Sequence, residues 1–305
     1  MKYRLIMNPS SRSGKGRLLW DTWLAQLNAY EVDYEAFVSE SIEQCVSLAR
    51  EDGNFNVAVA VGGDGTVNAV LNGIAGSENK ELQLGVLYSG TSPDFCAFHN
   101  ISIKPEKAVK ALVENKCREV DLAEIEYVNV SGRKVTGYFA CSCNIGLGRD
   151  VAETANRIRK YAGDKLGTGL ALAKTVLKGK KYNFQLKINS ESYFFESANH
   201  LAIIKNPFIA SGLKLNFALA PDDRQLGVWV LSGFSRLGML KLFPGLYNGS
   251  AGREGNGIFR DMTHGPIELT GPAGLGIEFD GDHHGYLPLR VRIAERKINL
   301  RGSSI

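Results

Sequence analysis

Long apolar runs are missing from this chain of 305 residues. Nothing approaches the roughly 20 consecutive apolar residues of a transmembrane helix, so any membrane contact is expected to be peripheral. Cysteine is scarce: five residues, at 45, 96, 117, 141 and 143. An odd count with no CxxC pair and no Cys/His cluster at zinc spacing gives neither a disulfide framework nor a zinc site, and reads as reduced, buried thiols of a cytosolic protein. Cys141-Ser142-Cys143 has the spacing of two thiols on one face of a strand. Long basic runs and aromatic-basic interleaving are also absent, which leaves no nucleic-acid footprint. The formal charge of +4 fits an anionic ligand or a passing contact with an anionic membrane, and solvated lysines explain it equally well. Internal repeats and low-complexity linkers are lacking. The start, Met1 to Met7, reads as a first strand, too short and charged for a signal peptide.

What is present is an ordinary soluble composition, 44% hydrophobic and 22% charged, on a chain longer than one typical domain. Its most informative stretch is the run Val57-Ala58-Val59-Ala60-Val61 emptying into Gly62-Gly63-Asp64-Gly65-Thr66. Val67 to Ile74 then carry apolar side chains at helical spacing, so the order is strand, Gly-rich turn, helix. Such a turn aims backbone N–H groups and the positive end of a helix dipole at one point, which suits a phosphate. A plain tight turn would also use glycine, but three around one carboxylate exceed what a turn needs.

The first 120 residues alternate strand and helix. Strands are expected over Tyr3–Met7, Asp33–Val38, Val57–Val61 and Leu82–Tyr88. Helices are expected over Arg17–Ala29, Ile42–Glu51, the segment after Thr66 and Pro105–Asn115. That alternation argues for a doubly wound parallel sheet covered on both faces. From Asp121 short alternating strands take over: Leu122–Val130, Lys134–Cys143, Tyr182–Asn189, Tyr193–Lys205, Leu213–Ala220, Leu226–Ser232, Asp261–Leu269, Leu275–Phe279 and Leu287–Ala294. Helical inserts interrupt over Val151–Leu177 and Ser235–Tyr247. The expected class is α/β plus all-β: a nucleotide-binding domain over 1–120, to which about 295–305 return, and an antiparallel β-sandwich over 121–294. Ligands of such folds sit beyond the carboxyl ends of the parallel strands or between domains.

Two established phosphate loops fail on inspection. Ser13-Gly14-Lys15-Gly16 resembles part of a Walker A loop, but Pro9 stands where its first glycine belongs and Gly16 replaces its Ser/Thr. Gly63-x-Gly65 is no dinucleotide fingerprint, because Asn68 takes the third glycine position. What remains is a constellation. Asn8-Pro9 with Ser13-Gly14 follows the first strand, Gly62–Thr66 the third, and Ser89-Gly90-Thr91 the fourth. In a doubly wound sheet all three open at one edge, where they could wrap one nucleotide.

The series resembles the diacylglycerol kinase catalytic family of lipid kinases, its bacterial soluble branch in particular, over nearly the whole chain. The family's Asn-Pro loop with Ser-Gly matches Asn8-Pro9 and Ser13-Gly14. Its Gly-Gly-Asp-Gly-Thr signature is matched in full by 62–66. Its Gly-Thr-x-Asn-Asp-Phe-Ala motif is approached by Gly90-Thr91-Ser92-Pro93-Asp94-Phe95-Cys96-Ala97, with Pro93 in place of asparagine. Asn144 to Asp150 look like its Gly-rich strand end, and Asp280-Gly281-Asp282 like its Asp-Gly-Glu segment, one methylene shorter at Asp282. Sphingosine kinases and, more remotely, NAD kinases are related.

The resemblance implies transfer of the γ-phosphoryl of ATP, with Mg²⁺, to a hydroxyl of diacylglycerol or a related lipid, in a cleft between the domains. Carried over, Asp280 would be the general base, supported by Asp282, and Asp64 would serve Mg-ATP. Asn8, Pro9, Ser13, Gly14, Gly62, Gly63, Gly65, Thr66, Ser89, Gly90 and Thr91 would line the nucleotide. Asp64, Asp94 and Asp121 would organise magnesium, and Asp223 would hold a structural magnesium together with nearby carbonyls. Arg224 and Gly227 replace the Gly and Asp usual around that metal. Asp121, Asp223 and Asp280 are also good turn residues. His283-His284 are expected to face solvent, and Trp20 and Trp23 to pack in the core. A cytoplasmic, peripherally membrane-associated enzyme is implied, with a homodimer left open. The rivals are an NAD kinase-like enzyme, disfavoured by Ser92-Pro93-Asp94, and a catalytically weak lipid- or nucleotide-binding module.

Overall fold

The computed structural model describes residues 1–51, 53–114, 116–146, 179–209, 213–247, 255 and 257–303. The insert expected over Val151–Leu177, and the glycine-rich stretch beyond Gly146, lie outside the described residues. The chain divides into two compact units: Met1–Leu122 with Glu295–Ile305, and Ala123–Ala294.

In the first unit the elements run β1 (Lys2–Met7), α1 (Trp20–Ala29), β2 (Asp33–Val38), α2 (Ile42–Arg50), β3 (Val57–Gly62), α3 (Asp64–Ala75), β4 (Gln83–Tyr88), α4 (Asp94–Phe98), α5 (Pro105–Glu114) and β5 (Arg118–Val120). The sheet order is β2-β1-β3-β4, then the chain's last strand, Ile298–Leu300, then β5. Every pairing is parallel except the one with β5. All six residues of β3 are buried, as expected of a central parallel strand. Tyr3, Leu5, Val57, Val59 and Val61 pack with Trp23 and Leu27 of α1 and with Val109 and Leu112 of α5. Their neighbours Ile6, Ala58 and Ala60 are equally buried, so the sheet is covered on both faces. The C-terminal segment is pinned by arginines that cap two helix ends. Arg296 donates to Ala75 O at 2.9 Å and Ser77 O at 2.7 Å, and Arg301 donates to Leu112 O at 2.7 Å and Val113 O at 2.8 Å.

Before α1 the chain departs from the expected loop-then-helix. Ser11–Leu19 form a 3₁₀ segment, and α1 begins only at Trp20. Arg12, Ser13 and Gly14 stand at positive φ (51°, 54° and 87°), a conformation that breaks a regular helix.

The second unit comprises β6 (Ala123–Asn129), β7 (Lys134–Phe139), β8 (Ser142–Ile145), β9 (Tyr182–Ile188), β10 (Glu191–Ile204), β11 (Phe208–Ile209), β12 (Leu213–Lys214), β13 (Leu226–Ser232), α6 (Arg236–Tyr247), β14 (Ile258–Thr263), β15 (Ile267–Thr270), β16 (Gly276–Phe279) and β17 (Asp282–Ile293); the last strand of the chain is then β18. Two long strands act as rails. Residues 191–198 of β10 pair with β9, and 201–204 pair with β8. Residues 282–286 of β17 pair with β16, and 289–291 pair with β15. Because β8 pairs β16 and β9 pairs β15, the antiparallel ladder closes on itself. One core fills it, including Phe139, Phe184, Leu201, Val228, Phe279 and Val291. Alternate residues of the same strands, Ala202, Ile204, Trp229 and Leu231, pack on the other face with Leu215, Phe217 and Met239.

Three expected strands are cut short. Lys134–Cys143 is two strands, β7 and β8, because Asp280 captures the backbone N–H groups of Ala140, Cys141 and Ser142. Cys141 therefore lies outside the strand that holds Cys143. Asp261–Leu269 breaks into β14 and β15 at His264-Gly265-Pro266, where Gly265 N–H turns back to Thr263 Oγ1 at 3.0 Å. Of Leu213–Ala220 only β12 is strand, since the following loop folds around Lys205.

Candidate active site

Three loops that follow parallel strands meet in the first unit. Asn8, after β1, donates from Nδ2 to Thr66 Oγ1 at 2.9 Å, and its N–H bonds Val61 O at 3.0 Å. Ser89, after β4, sends its N–H to Gly62 O at 2.8 Å and its hydroxyl to Ser11 Oγ at 3.2 Å. The glycines are there because the loops touch. A Cβ on Gly90 would lie 2.5 Å from Gly63 Cα and 2.6 Å from Tyr88 Oη, and one on Gly62 would lie 2.2 Å from Thr66 Oγ1. Gly63 caps α3, whose first turn is Asp64, Gly65 and Thr66. The first N–H groups of a helix have no intrahelical acceptor, and they point outward with the positive end of its dipole. Pro9 and Thr91 are half-buried members of the same loops; Ser13 is exposed and Gly14 half-buried in the 3₁₀ segment. Ser11, buried and bonded to Ser89, was missed in sequence because nothing in its spacing separates it from Ser10 and Ser13.

The candidate metal-organising carboxylates of this unit are Asp64, Asp94 and Asp121. Asp94 and Asp121 are buried. Burial pushes the Tyr88 phenol and the Cys96 thiol well up, and the nearby charges of Asp64 and Asp94 push both further. Two carboxylates therefore act on one neighbourhood. Among the described residues no group of three or more His, Cys, Asp and Glu is disposed to hold a metal, so Asp64, Asp94 and Asp121 are not a ready-made three-ligand centre. Hard oxygen donors in ones and twos do fit Mg²⁺, which takes its other ligands from water and substrate phosphates.

In the second unit Asp280-Gly281 is the two-residue turn joining β16 to β17, both residues at positive φ (49° and 96°), the conformation that Asp-Gly hairpins favour. Its carboxylate is buried and accepts N–H bonds from Ala140 (2.9 Å), Cys141 (2.9 Å) and Ser142 (3.1 Å). Gly281 N–H donates to Glu278 Oε1 at 3.0 Å. Glu278, buried on β16, is the site residue that sequence reading passed over, because an acidic residue on a short strand reads as a solvent-facing position. Burial pushes its carboxyl up to about 8, with smaller pushes from Asp280 and Asp282; the Gly281 and Asn144 hydrogen bonds work the other way. Asp282 is exposed, yet its carboxyl is raised by the protein packed around it. His283 and His284 do not simply face solvent. Both are half-buried, and His284 stacks on Phe279 at 3.5 Å between ring centroids.

Asp223 departs from the expected magnesium site. Its Oδ1 accepts from the Lys205 ammonium at 2.7 Å and from Gln225 N–H at 3.0 Å, and its Oδ2 accepts from Ala220 N–H at 2.7 Å. Lys205 Nζ also donates to Ala220 O at 2.7 Å. A full positive charge already sits on this carboxylate, so the donors present do not fit a divalent ion there.

A family model of the diacylglycerol kinase catalytic domain matches residues 2–125. The match spans the parallel-sheet unit and the first residues of the next one, and over that stretch the chain is similar to that family. A Staphylococcus carnosus protein named "Putative lipid kinase" is 24% identical over 249 residues, 81% of this chain and 77% of that one. A Staphylococcus aureus relative of the same name, from strain MRSA252, is 23% identical over 267 residues, covering 85% and 82%. A Bacillus anthracis crystal structure of a "putative diacylglycerol kinase" superimposes with a TM-score of 0.76 at 18% identity, covering 98% of this chain and 96% of that one. At that identity the likeness is one of fold. It covers both the parallel-sheet unit and the antiparallel β-rich unit that follows it.

Proposed function

We propose that this chain is an ATP- and Mg²⁺-dependent lipid kinase that phosphorylates a hydroxyl of diacylglycerol or a related lipid at a membrane surface. The observation that carries the reading is the convergence of the Asn8, Gly62–Thr66 and Ser89–Thr91 loops at the carboxyl ends of β1, β3 and β4. Mg-ATP, when bound, supplies the phosphoryl group and part of the charge neutralisation. Phosphoryl transfer then asks the protein to position reactants and balance charge. In this reading the α3 N-terminus and the loop amides bind the phosphates, and Asp64 and Asp94 orient the metal through oxygen ligands. Asp280 receives the acceptor proton at its carboxylate, with Asp282 beside it in sequence holding the acceptor. The N–H bonds from residues 140–142 fix the direction of the Asp280 carboxylate, and a base must be fixed within hydrogen-bond reach of its proton. Among the described residues no helix is long and apolar enough to cross a membrane; in this reading the lipid is met at the membrane surface.

The test is transfer from radiolabelled ATP with Mg²⁺ to diacylglycerol, sphingoid base, ceramide, polyprenol and NAD. Labelling of a lipid, lost in Asp64→Asn and Asp282→Asn variants of unchanged melting temperature, is the expected result. Binding of ATP with no acceptor labelled would leave a nucleotide-binding module, and labelling of NAD alone would make it an NAD kinase. Asp280→Asn belongs in the series only with a folding control. Its amide would turn N–H groups toward backbone N–H groups that now donate to oxygen.

A further inference from the structure

Lys205 follows β10 directly, and its side chain is 1% exposed. A buried ammonium needs oxygen around it, and among the described residues one loop supplies two: Ala220 O and Asp223 Oδ1, each at 2.7 Å. The same carboxylate closes the loop on itself through the N–H groups of Ala220 and Gln225. On the strand side, the N–H groups of Lys205 and Asn206 both bond Cys141 O, so the lysine backbone is fixed as firmly as its head. A carboxylate and a main-chain carbonyl converging on one positive centre form the donor set that hard divalent cations take. In this chain the positive centre is a side chain.

We propose that Lys205 is a built-in cation: its ammonium takes the place of a divalent ion in the 220–225 loop, which therefore folds without metal and becomes a divalent-cation site only when the ammonium is removed. The two occupants exclude each other. A magnesium ion bound at its usual ~2.1 Å from Asp223 Oδ1 would crowd a second positive charge only 2.7 Å from the same oxygen. Being tethered, the ammonium is present at any ion concentration, and with Asp223 it makes a neutral pair. Arg224 and Gly227 are consistent with this. Arg224 turns its guanidinium to Ala294 O at 2.8 Å and adds no carboxylate to the loop, and Gly227 has none to give.

The proposal is independent of catalysis and is tested by thermal unfolding of the full chain. Wild type should melt at the same temperature in EDTA and in millimolar Mg²⁺ or Ca²⁺. Lys205→Ala should melt several degrees lower in EDTA, regain part of that loss in Mg²⁺ or Ca²⁺, and regain none in the double variant Lys205→Ala/Asp223→Asn. If Lys205→Ala does not fold in EDTA, recovery of its far-ultraviolet circular dichroism on refolding with Ca²⁺ reads the same outcome. Wild type stabilised by Mg²⁺ in a way that Asp223→Asn abolishes would overturn the proposal, since ion and ammonium would then coexist. Failure of both divalent ions to restore Lys205→Ala would overturn it too, because the loop would not be a cation site at all.

Discussion

Where the three loops of the first unit meet, the contacts are made by main chain and by short hydroxyls and amides: Gly62, Gly63 and Gly90 in close approach, Asn8 on Thr66, Ser11 on Ser89. In the second unit it is made of ionisable groups held away from water: Glu278, Asp280, the Lys205–Asp223 pair, His200 and His284. A backbone dipole keeps its orientation at every pH, whereas a buried ionisable group stays in the form its surroundings favour only over part of the range. The buried Tyr88 and Cys96 of the first unit are pushed upward and so remain neutral near pH 7. Burial in the second unit pulls His200 and His284 down to about 4 and lifts Glu278 to about 8. The loop contacts of the first unit thus rest on groups that do not titrate, and the strand contacts of the second rest in part on groups that do.

The largest expected effect comes from removing the stored charge that holds the second unit's strands. Asp280→Ala leaves three buried N–H groups without their acceptor, which costs about 3 kcal/mol or more at the usual penalty for buried unsatisfied donors. Trp229 lies in the second unit, and Trp20 and Trp23 in the first. Urea unfolding followed by fluorescence of single-tryptophan variants should therefore show the Trp229 transition moving. If it shifts by less than about 1 kcal/mol, the contrast between the units is broken.

Next comes the pH dependence. Glu278 is raised from 4.5 to about 8, so the folded chain holds a proton that the unfolded chain has released, and stability falls as pH rises through that window. Glu278→Gln, with no proton to hold, should gain on wild type by an amount on the order of a few kcal/mol between pH 5 and pH 8. The two melting curves should then run parallel above that range. Parallel curves throughout would show that Glu278 is ordinary. The histidines act on the other side: lowered from 6.5 to about 4, they withdraw stability as pH falls below 6.5.

The smallest effect, in the first unit, sharpens the comparison. Gly90→Ala places a methyl 2.5 Å from Gly63 Cα, and backbone cannot yield as a side chain can. A loss of about 1–3 kcal/mol should appear in nucleotide affinity, at about tenfold per 1.4 kcal/mol, with the same value at pH 6 and pH 8. A pH-dependent loss would mean that the loops of this unit also rest on charge.

Much of this was legible in the residues themselves. The apolar run 57–61, the three glycines after it and the strand-helix alternation are local signals, and β3, α3 and the three loops stand where they were read. Cuts in long alternating segments were not legible. Nothing in Lys134–Cys143 announces that the carboxylate of residue 280 will take three of its N–H groups, and nothing in Leu213–Ala220 announces that its continuation will wrap a lysine. The 3₁₀ start before α1 escaped for a similar reason: arginine and serine at positive φ have no strong signature in sequence.

Sequence alone determined the class of each unit, because hydrophobic period and turn chemistry are set by neighbours along the chain. It also determined the strand, glycine turn and helix start at Gly62–Thr66 on which the proposed phosphate site rests. Only the tertiary structure decided the charge states and partners of the buried acids. Asp280 is a turn residue by sequence and an anchor of three amides by fold. Glu278 looks like a surface strand position until β8 and β17 enclose it. Asp223 was a metal ligand by resemblance until Lys205, 18 positions away, occupied it. Desolvation and ion pairing depend on what is brought near from far along the chain, and that information exists only once the chain is folded.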